Sequence, residues 1–112
     1  MTITARSVND VTILDLKGRL VLGDEAQALN GYIDDLIGAG QLRIVINLAE
    51  VPYIDSGGLG ELIRTLAAVK RRDGALKLTN LTAKITDVLV ITKLATVFDV
   101  FDTEEAALES FA

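Results

Sequence analysis

The residues best suited to chemistry lie together in one segment, Asp55-Ser56-Gly57-Gly58-Leu59-Gly60. Ser56 offers a hydroxyl, Asp55 a carboxylate beside it, and the glycines leave the backbone around the serine open to an approaching partner. A serine becomes a strong nucleophile only when a neighbouring base takes its proton. The chain has no histidine and no cysteine, and no lysine stands at a spacing that suggests a serine–lysine pair. The glycines do not make a phosphate loop, because Gly-Lys-Ser/Thr is missing. No catalytic residue, cofactor or metal site is therefore expected. The Ser56 hydroxyl can still do two things. It can cap a helix by accepting the amide of Gly58 or Leu59, or it can accept a phosphoryl group.

A phosphate on Ser56 would add a charge of about −1.5 to −2 at neutral pH. Amides at a helix start would stabilise it locally, so the fold should survive. With Asp55 adjacent, the surface would become strongly anionic. A partner that buries the uncharged serine would then meet repulsion and the desolvation of a dianion. On these residues alone, the capping role and the switch role both stand.

Positioning this segment requires a scaffold, and the hydropathy pattern supplies one. Ile3 to Val8 and Val11 to Lys17 are rich in β-branched residues and are separated by Asn9-Asp10, a two-residue hairpin turn. A helix is expected from Asp24, with Asp24 and Gln27 at capping-box spacing. Leu29, Tyr32, Ile33, Leu36 and Ile37 form its apolar stripe, and Gly38 and Gly40 stop it. Leu42 to Leu48 is a nearly continuous apolar run, which suits a strand covered on both faces. Pro52 interrupts regular structure before Tyr53-Ile54.

A helix follows the glycines, with Ser56 as its expected N-cap. Leu59, Leu62, Ile63, Leu66 and Val69 are expected inward, and Glu61, Arg64, Thr65 and Ala68 nearer the exposed side. Ala75 to Thr79 reads as a strand and Thr82 to Thr92 as a helix with Ile85, Val88 and Leu89 inward. Thr96 to Phe101 reads as a last strand. Asp102 or Thr103 caps a final helix whose Ala107, Leu108 and Phe111 face inward. The order β-β-α-β-α-β-α-β-α implies an α/β fold: a mixed, mostly parallel sheet with an N-terminal hairpin, packed against about four helices.

The length of 112 residues fits one domain spanning residues 1–112, and a hydrophobic content of 50% allows a core without staples. No stretch approaches the roughly 20 apolar residues that span a bilayer, and the N-terminus lacks a signal-peptide pattern. The chain is read as cytoplasmic, without membrane insertion. With 16 acidic against 11 basic residues and a net charge of −5, it is a poor binder of phosphate backbones, so no nucleic acid partner is expected.

Val45 to Gly60 resembles the central signature of STAS domains, the family of bacterial anti-sigma-factor antagonists: an apolar strand, a short bridge, then Ile-Asp-Ser-Ser-Gly-Leu-Gly. Here the last part reads Ile54-Asp55-Ser56-Gly57-Gly58-Leu59-Gly60. Gly18-Arg19-Leu20 is similar to the family's Gly-Glu-Leu element, and the whole chain matches in length and element order. The resemblance implies that Ser56 is phosphorylated by an anti-sigma factor that is itself a serine kinase. The unphosphorylated antagonist would bind that kinase and release a sigma factor, and a metal-dependent serine phosphatase would reset Ser56. It further implies a docking surface made of Asp55, Ser56, Gly57, Gly58, Leu59 and Gly60 with the loop Leu20, Val21, Leu22, Gly23 and Asp24. Gly57 replaces the family's second serine and leaves Ser56 as the motif's one acceptor. Asn47 stands where the strand often carries an aspartate. Arg19 and Val21 stand where a glutamate and an aspartate are usual, which changes the charge of a loop expected near the partner.

Two other functions fit the same outline. Similar domains serve as stressosome scaffold subunits or as accessory parts of lipid transporters, and such roles, like a homodimer, need stable association. A receiver domain phosphorylated on Asp55 would need an acidic cluster after its first strand, where Asn9-Asp10 occupies a hairpin turn instead. Elsewhere, Lys70, Arg71 and Arg72 complement the negative end of a helix dipole or meet an acidic partner. Asp99, Asp102, Glu104 and Glu105 read as solvated charge at a helix start rather than a cation site. Tyr53 either packs half-buried or touches a partner beside Ser56. Phe98, Phe101 and Phe111 are expected to close the C-terminal end of the core.

Overall fold

The first two strands, β1 (Thr2–Val8) and β2 (Val11–Lys17), pair antiparallel with Val8 opposite Val11. Asn9 and Asp10 turn the chain between them with φ of 52° and 65°. Both residue types tolerate the left-handed region, and a two-residue turn of this hand matches the twist of the strands. These coordinates are a computed structural model describing residues 1–21 and 23–111, with the backbone alone described at residues 24–26. The remaining elements are α1 (Asp24–Gly38), β3 (Arg43–Glu50), α2 (Ser56–Arg71), β4 (Ala75–Thr79), α3 (Ala83–Ile91), β5 (Asp99–Phe101) and α4 (Glu104–Glu109). The sheet runs β1-β2-β3-β4-β5, with every pair after the hairpin parallel.

Both faces of the sheet are covered, which explains the apolar run of β3. On one face Leu14, Leu16, Ile44, Ile46, Leu48, Leu76 and Leu78 pack against α1, α2 and α3. On the other, Val11, Ile13 and Val45 pack against Ala107 of α4, with Leu108 and Phe111 at the margin. Fully burying one such aliphatic side chain contributes roughly 1.5–3 kcal/mol, so the larger face dominates stability.

Several expectations change in detail. The cap of α1 is Gly23, with φ of 129°, and Asp24 is the first helical residue. The Asp24 side chain, and with it the capping box, lies outside the described residues. The last strand begins at Asp99 rather than Thr96, because the chain is still turning there: the Val97 amide bonds to the Leu94 carbonyl. The three phenylalanines do not act together. Phe98 joins the larger core, whereas Phe101 and Phe111 sit on the α4 face around Lys77, whose ammonium lies 5.4 Å and 4.3 Å from their ring centres.

On α2 the buried stripe is Gly58, Leu59, Glu61, Leu62, Thr65, Leu66 and Val69, and Ile63 is 38% exposed. The stripe is rotated towards Glu61 and Thr65, away from Ile63. Thr65 tolerates burial by donating its hydroxyl to the Leu62 carbonyl at 2.8 Å, and Glu61 pairs with Arg64 at 3.0 Å.

Candidate functional site

The loop after β2 is tied to the segment before α2 by three backbone bonds. Gly18 donates to Glu50 O at 3.0 Å, Leu20 to Tyr53 O at 3.0 Å, and Asp55 to Leu20 O at 3.2 Å. Leu20 and Ile54 thus form an isolated parallel bridge. Leu20 is fully buried and Ile54 is 3% exposed, so the bridge is anchored in the core. The bridge brings together two segments that lie far apart in sequence.

Gly58 is what lets them meet. A Cβ built there would lie 2.0 Å from the Leu20 carbonyl oxygen, well inside any real contact. Leu20, Gly58 and Leu59 are interior residues that hold the site's shape. Ser56, Gly60 and Gly23 are exposed, and Val21, Asp55 and Gly57 are half-buried. Leu22 and the side chain of Asp24 lie outside the described residues.

The start of α2 differs from expectation in one consequential way. Asp55, not Ser56, is the N-cap: its Oδ1 accepts the Gly58 amide at 2.8 Å from an extended backbone. A carboxylate at this place also meets the positive end of the helix dipole. Ser56 is therefore the first helical residue. Its hydroxyl is exposed and hydrogen-bonds to nothing among the described residues.

Ser56 and Gly60 are four residues apart and share a helix face, which continues through Ile63 to Ala67. Nothing lies within 4 Å of a Cβ built at Gly60. A helical glycine costs about 0.5–1 kcal/mol relative to alanine, and no contact within the described structure requires one here. The result is a shallow surface of small residues around an exposed hydroxyl, with one exposed aliphatic, Ile63, further along. Ser56 lines none of the described crevices. The roomiest two, of about 470 and 480 Å³, flank the hairpin turn and the start of β3.

Two further groups lie near this region. Tyr53 is half-buried, with Arg19 Cζ at 5.1 Å and Lys84 Nζ at 5.2 Å from its ring centre. Lys84 was not singled out from the sequence, because its place beside Tyr53 depends on how α3 packs. On the α4 face a polar chain crosses the sheet. Arg6 donates to Asp15 at 2.7 and 3.2 Å, Asn47 Nδ2 donates to Asp15 Oδ1 at 2.8 Å, and Asn80 Nδ2 donates to Asn47 Oδ1 at 3.1 Å. Arg6 also pairs with Glu104. The Arg6 bonds are the main cause holding the Asp15 carboxyl below its ordinary value of 3.8. Asp15 already provides the carboxylate in this chain, so an amide at position 47 completes the network where a second acid would repel it.

Of the acidic residues near the C-terminus, Glu104 and Glu105 occupy the first turn of α4, and Thr103 caps it through the Ala106 amide at 3.1 Å. Lys70 and Arg71 occupy the last turn of α2, with Arg72 as C-cap, where they complement the dipole. No helix among the described residues is long and apolar enough to cross a membrane.

Comparison with known proteins places this geometry. The model of the STAS domain family matches residues 2–107. The anti-sigma-B factor antagonist of Bacillus subtilis is 36% identical over 64 residues, covering 57% of this chain and 59% of that protein. The crystal structure of TM1081 from Thermotoga maritima superposes with a TM-score of 0.90 at 27% identity, over 96% of this chain and 92% of the other. The anti-sigma factor antagonist SpoIIAA in its unphosphorylated form superposes with a TM-score of 0.75 at 19% identity, over 98% and 97% of the two chains, a likeness of fold.

Proposed function

We propose that this chain, which belongs to the STAS domain family, is an anti-sigma factor antagonist that works as a binding switch set by phosphorylation of Ser56. In the unphosphorylated state it binds an anti-sigma factor serine kinase and so frees a sigma factor. The kinase transfers the γ-phosphoryl group of ATP to the Ser56 oxygen, with ADP leaving and the hydroxyl proton passing to a base on the kinase. A serine phosphatase hydrolyses the ester and restores binding. The docking surface comprises Val21, Gly23, Asp55, Ser56, Gly57 and Gly60, with Leu20, Gly58 and Leu59 holding it from beneath; Leu22 and Asp24 are assigned to it by their place in the sequence.

The observation that carries this reading is the division of labour at the start of α2. Asp55 provides the cap, so the Ser56 hydroxyl is exposed and can be modified without removing a structural bond. The phosphate would sit at the positive end of a 16-residue helix, which stabilises it. It would also lie beside the Asp55 carboxylate, and this pair of anions repels a partner shaped for a neutral serine. The test is binding of the purified kinase before and after phosphorylation: the switch requires tight binding before and loss of binding after.

A second reading, a scaffold subunit acting through stable self-association, is favoured by one feature. Val90, Ile91, Val97 and Val100 are 60%, 78%, 43% and 40% exposed at the end of α3 and around the edge strand β5. A persistent oligomer on a sizing column, with no effect of Ser56→Asp on kinase binding, would favour the scaffold.

A further inference from the structure

We propose that Arg19 and Lys84, both resting on the ring of Tyr53, form a cationic contact that receives carboxylate side chains of the protein partner docking at Ser56. This rests on the reading of Ser56 as the centre of a docking surface. Three separate segments converge here. Arg19 follows β2, Tyr53 lies in the bridge before α2, and Lys84 stands in the first turn of α3. The Leu20–Tyr53 bond of 3.0 Å fixes the first two relative to each other, and the adjoining Asp55–Leu20 bond ties them to the start of α2.

Folding alone gives little reason for these two cations. Neither forms an ion pair among the described residues. Lys84 sits at the positive end of the α3 dipole, where a cation is disfavoured, and no acidic residue shares that first turn. Two like charges gathered on one ring also repel. The contacts with Tyr53 offset part of this, because the ring face attracts a cation. The result is two exposed cations held against one ring on a chain of net charge −5, with both side chains already oriented. Preordered cations lose less freedom on binding, and they attract an acidic surface from a distance. A phosphate on Ser56 is a less suitable occupant, because the unpaired amides at the start of α2 already serve it. Tyr53 acts as a positioning residue.

The test measures association rate and Kd at low and high salt, using the purified serine kinase encoded nearest this gene as probe and the full chain as ligand. Arg19→Glu and Lys84→Glu are each expected to raise Kd about tenfold or more, mainly through slower association, and to weaken its salt dependence. Arg19→Lys should keep most of the affinity. Tyr53→Leu should lose affinity several-fold and Tyr53→Phe should restore it, with melting temperatures showing that all variants are folded.

Wild-type affinity in both charge reversals, together with loss of binding in Ser56→Asp, would overturn this inference and leave the functional reading intact. A charge reversal that changes only phosphatase action on phosphorylated Ser56 would also overturn it, assigning the cations to the phosphate. No binding by the wild type, or unchanged binding by Ser56→Asp, would overturn the functional reading and this inference with it.

Discussion

The Asp55 carboxylate accepts the Gly58 amide hydrogen at 2.8 Å, and this bond relieves the neighbouring Ser56 of any capping duty. On the proposed function, a structural residue and a regulatory one stand side by side, each on its own atoms. Separate substitutions should therefore separate stability from regulation. Asp55→Ala is expected to lower unfolding stability by about 1 kcal/mol, within the usual range for loss of a cap. Ser56→Ala should change it by less than about 0.5 kcal/mol. Urea denaturation of both variants checks this.

Two glycines of α2 close to the serine, Gly58 and Gly60, should respond in opposite directions. Gly58→Ala forces a methyl group into the Leu20 carbonyl, so the β2–α1 loop must move and stability should fall by about 2 kcal/mol or more. Gly60→Ala meets open space and should gain about 0.5–1 kcal/mol of helix stability. If a partner lies flat over Ser56 and Gly60, that same variant should bind the kinase at least several-fold more weakly. Thermal melts and binding isotherms on the two proteins test both halves.

Much of the scaffold was legible in the sequence because its signals are local. The turn Asn9-Asp10, the stripe from Leu29 to Ile37 and the punctuation at Gly38 and Gly40 each depend on neighbouring residues, and the structure agrees with all three. The sequence points to Ser56 as the cap of α2, but aspartate and serine are comparable caps and stand adjacent, and only the backbone decides between them. Residue type alone points Ile63 inward, whereas the helix turns Glu61 and Thr65 to the core. The Arg6–Asp15–Asn47–Asn80 chain and the Arg19–Tyr53–Lys84 cluster depend on strand register and helix packing between distant segments, which no local pattern encodes.

The amide at position 47 should be required by Asp15. Asn47→Asp places a second carboxylate 2.8 Å from the first, where Asn47 Nδ2 now donates. Like charges so close raise the pKa of the pair in the folded state. The variant should be destabilised by about 1–3 kcal/mol at neutral pH. The deficit should shrink as pH falls and one carboxyl takes a proton. Urea titrations of wild type and variant at several pH values test the sign.

Asp15 itself should shape acid stability in the opposite sense. Its carboxyl is held below 3.8 in the fold, chiefly by hydrogen bonds from Arg6. A depressed folded pKa contributes stability that is present above about pH 4 and lost as pH falls towards the folded value. Asp15→Asn should be less stable than wild type at neutral pH, and its stability should fall less between pH 4 and lower values. An equal pH slope in the two proteins would show that the Arg6 pairing does not stabilise the fold.

Whether Ser56 is the switch is decided by intact-mass measurement after incubation with ATP and the serine kinase encoded nearest this gene, comparing wild type with Ser56→Ala. A single added phosphoryl group is expected on the wild type and none on the variant. Phosphate on both proteins, or on neither, would contradict it.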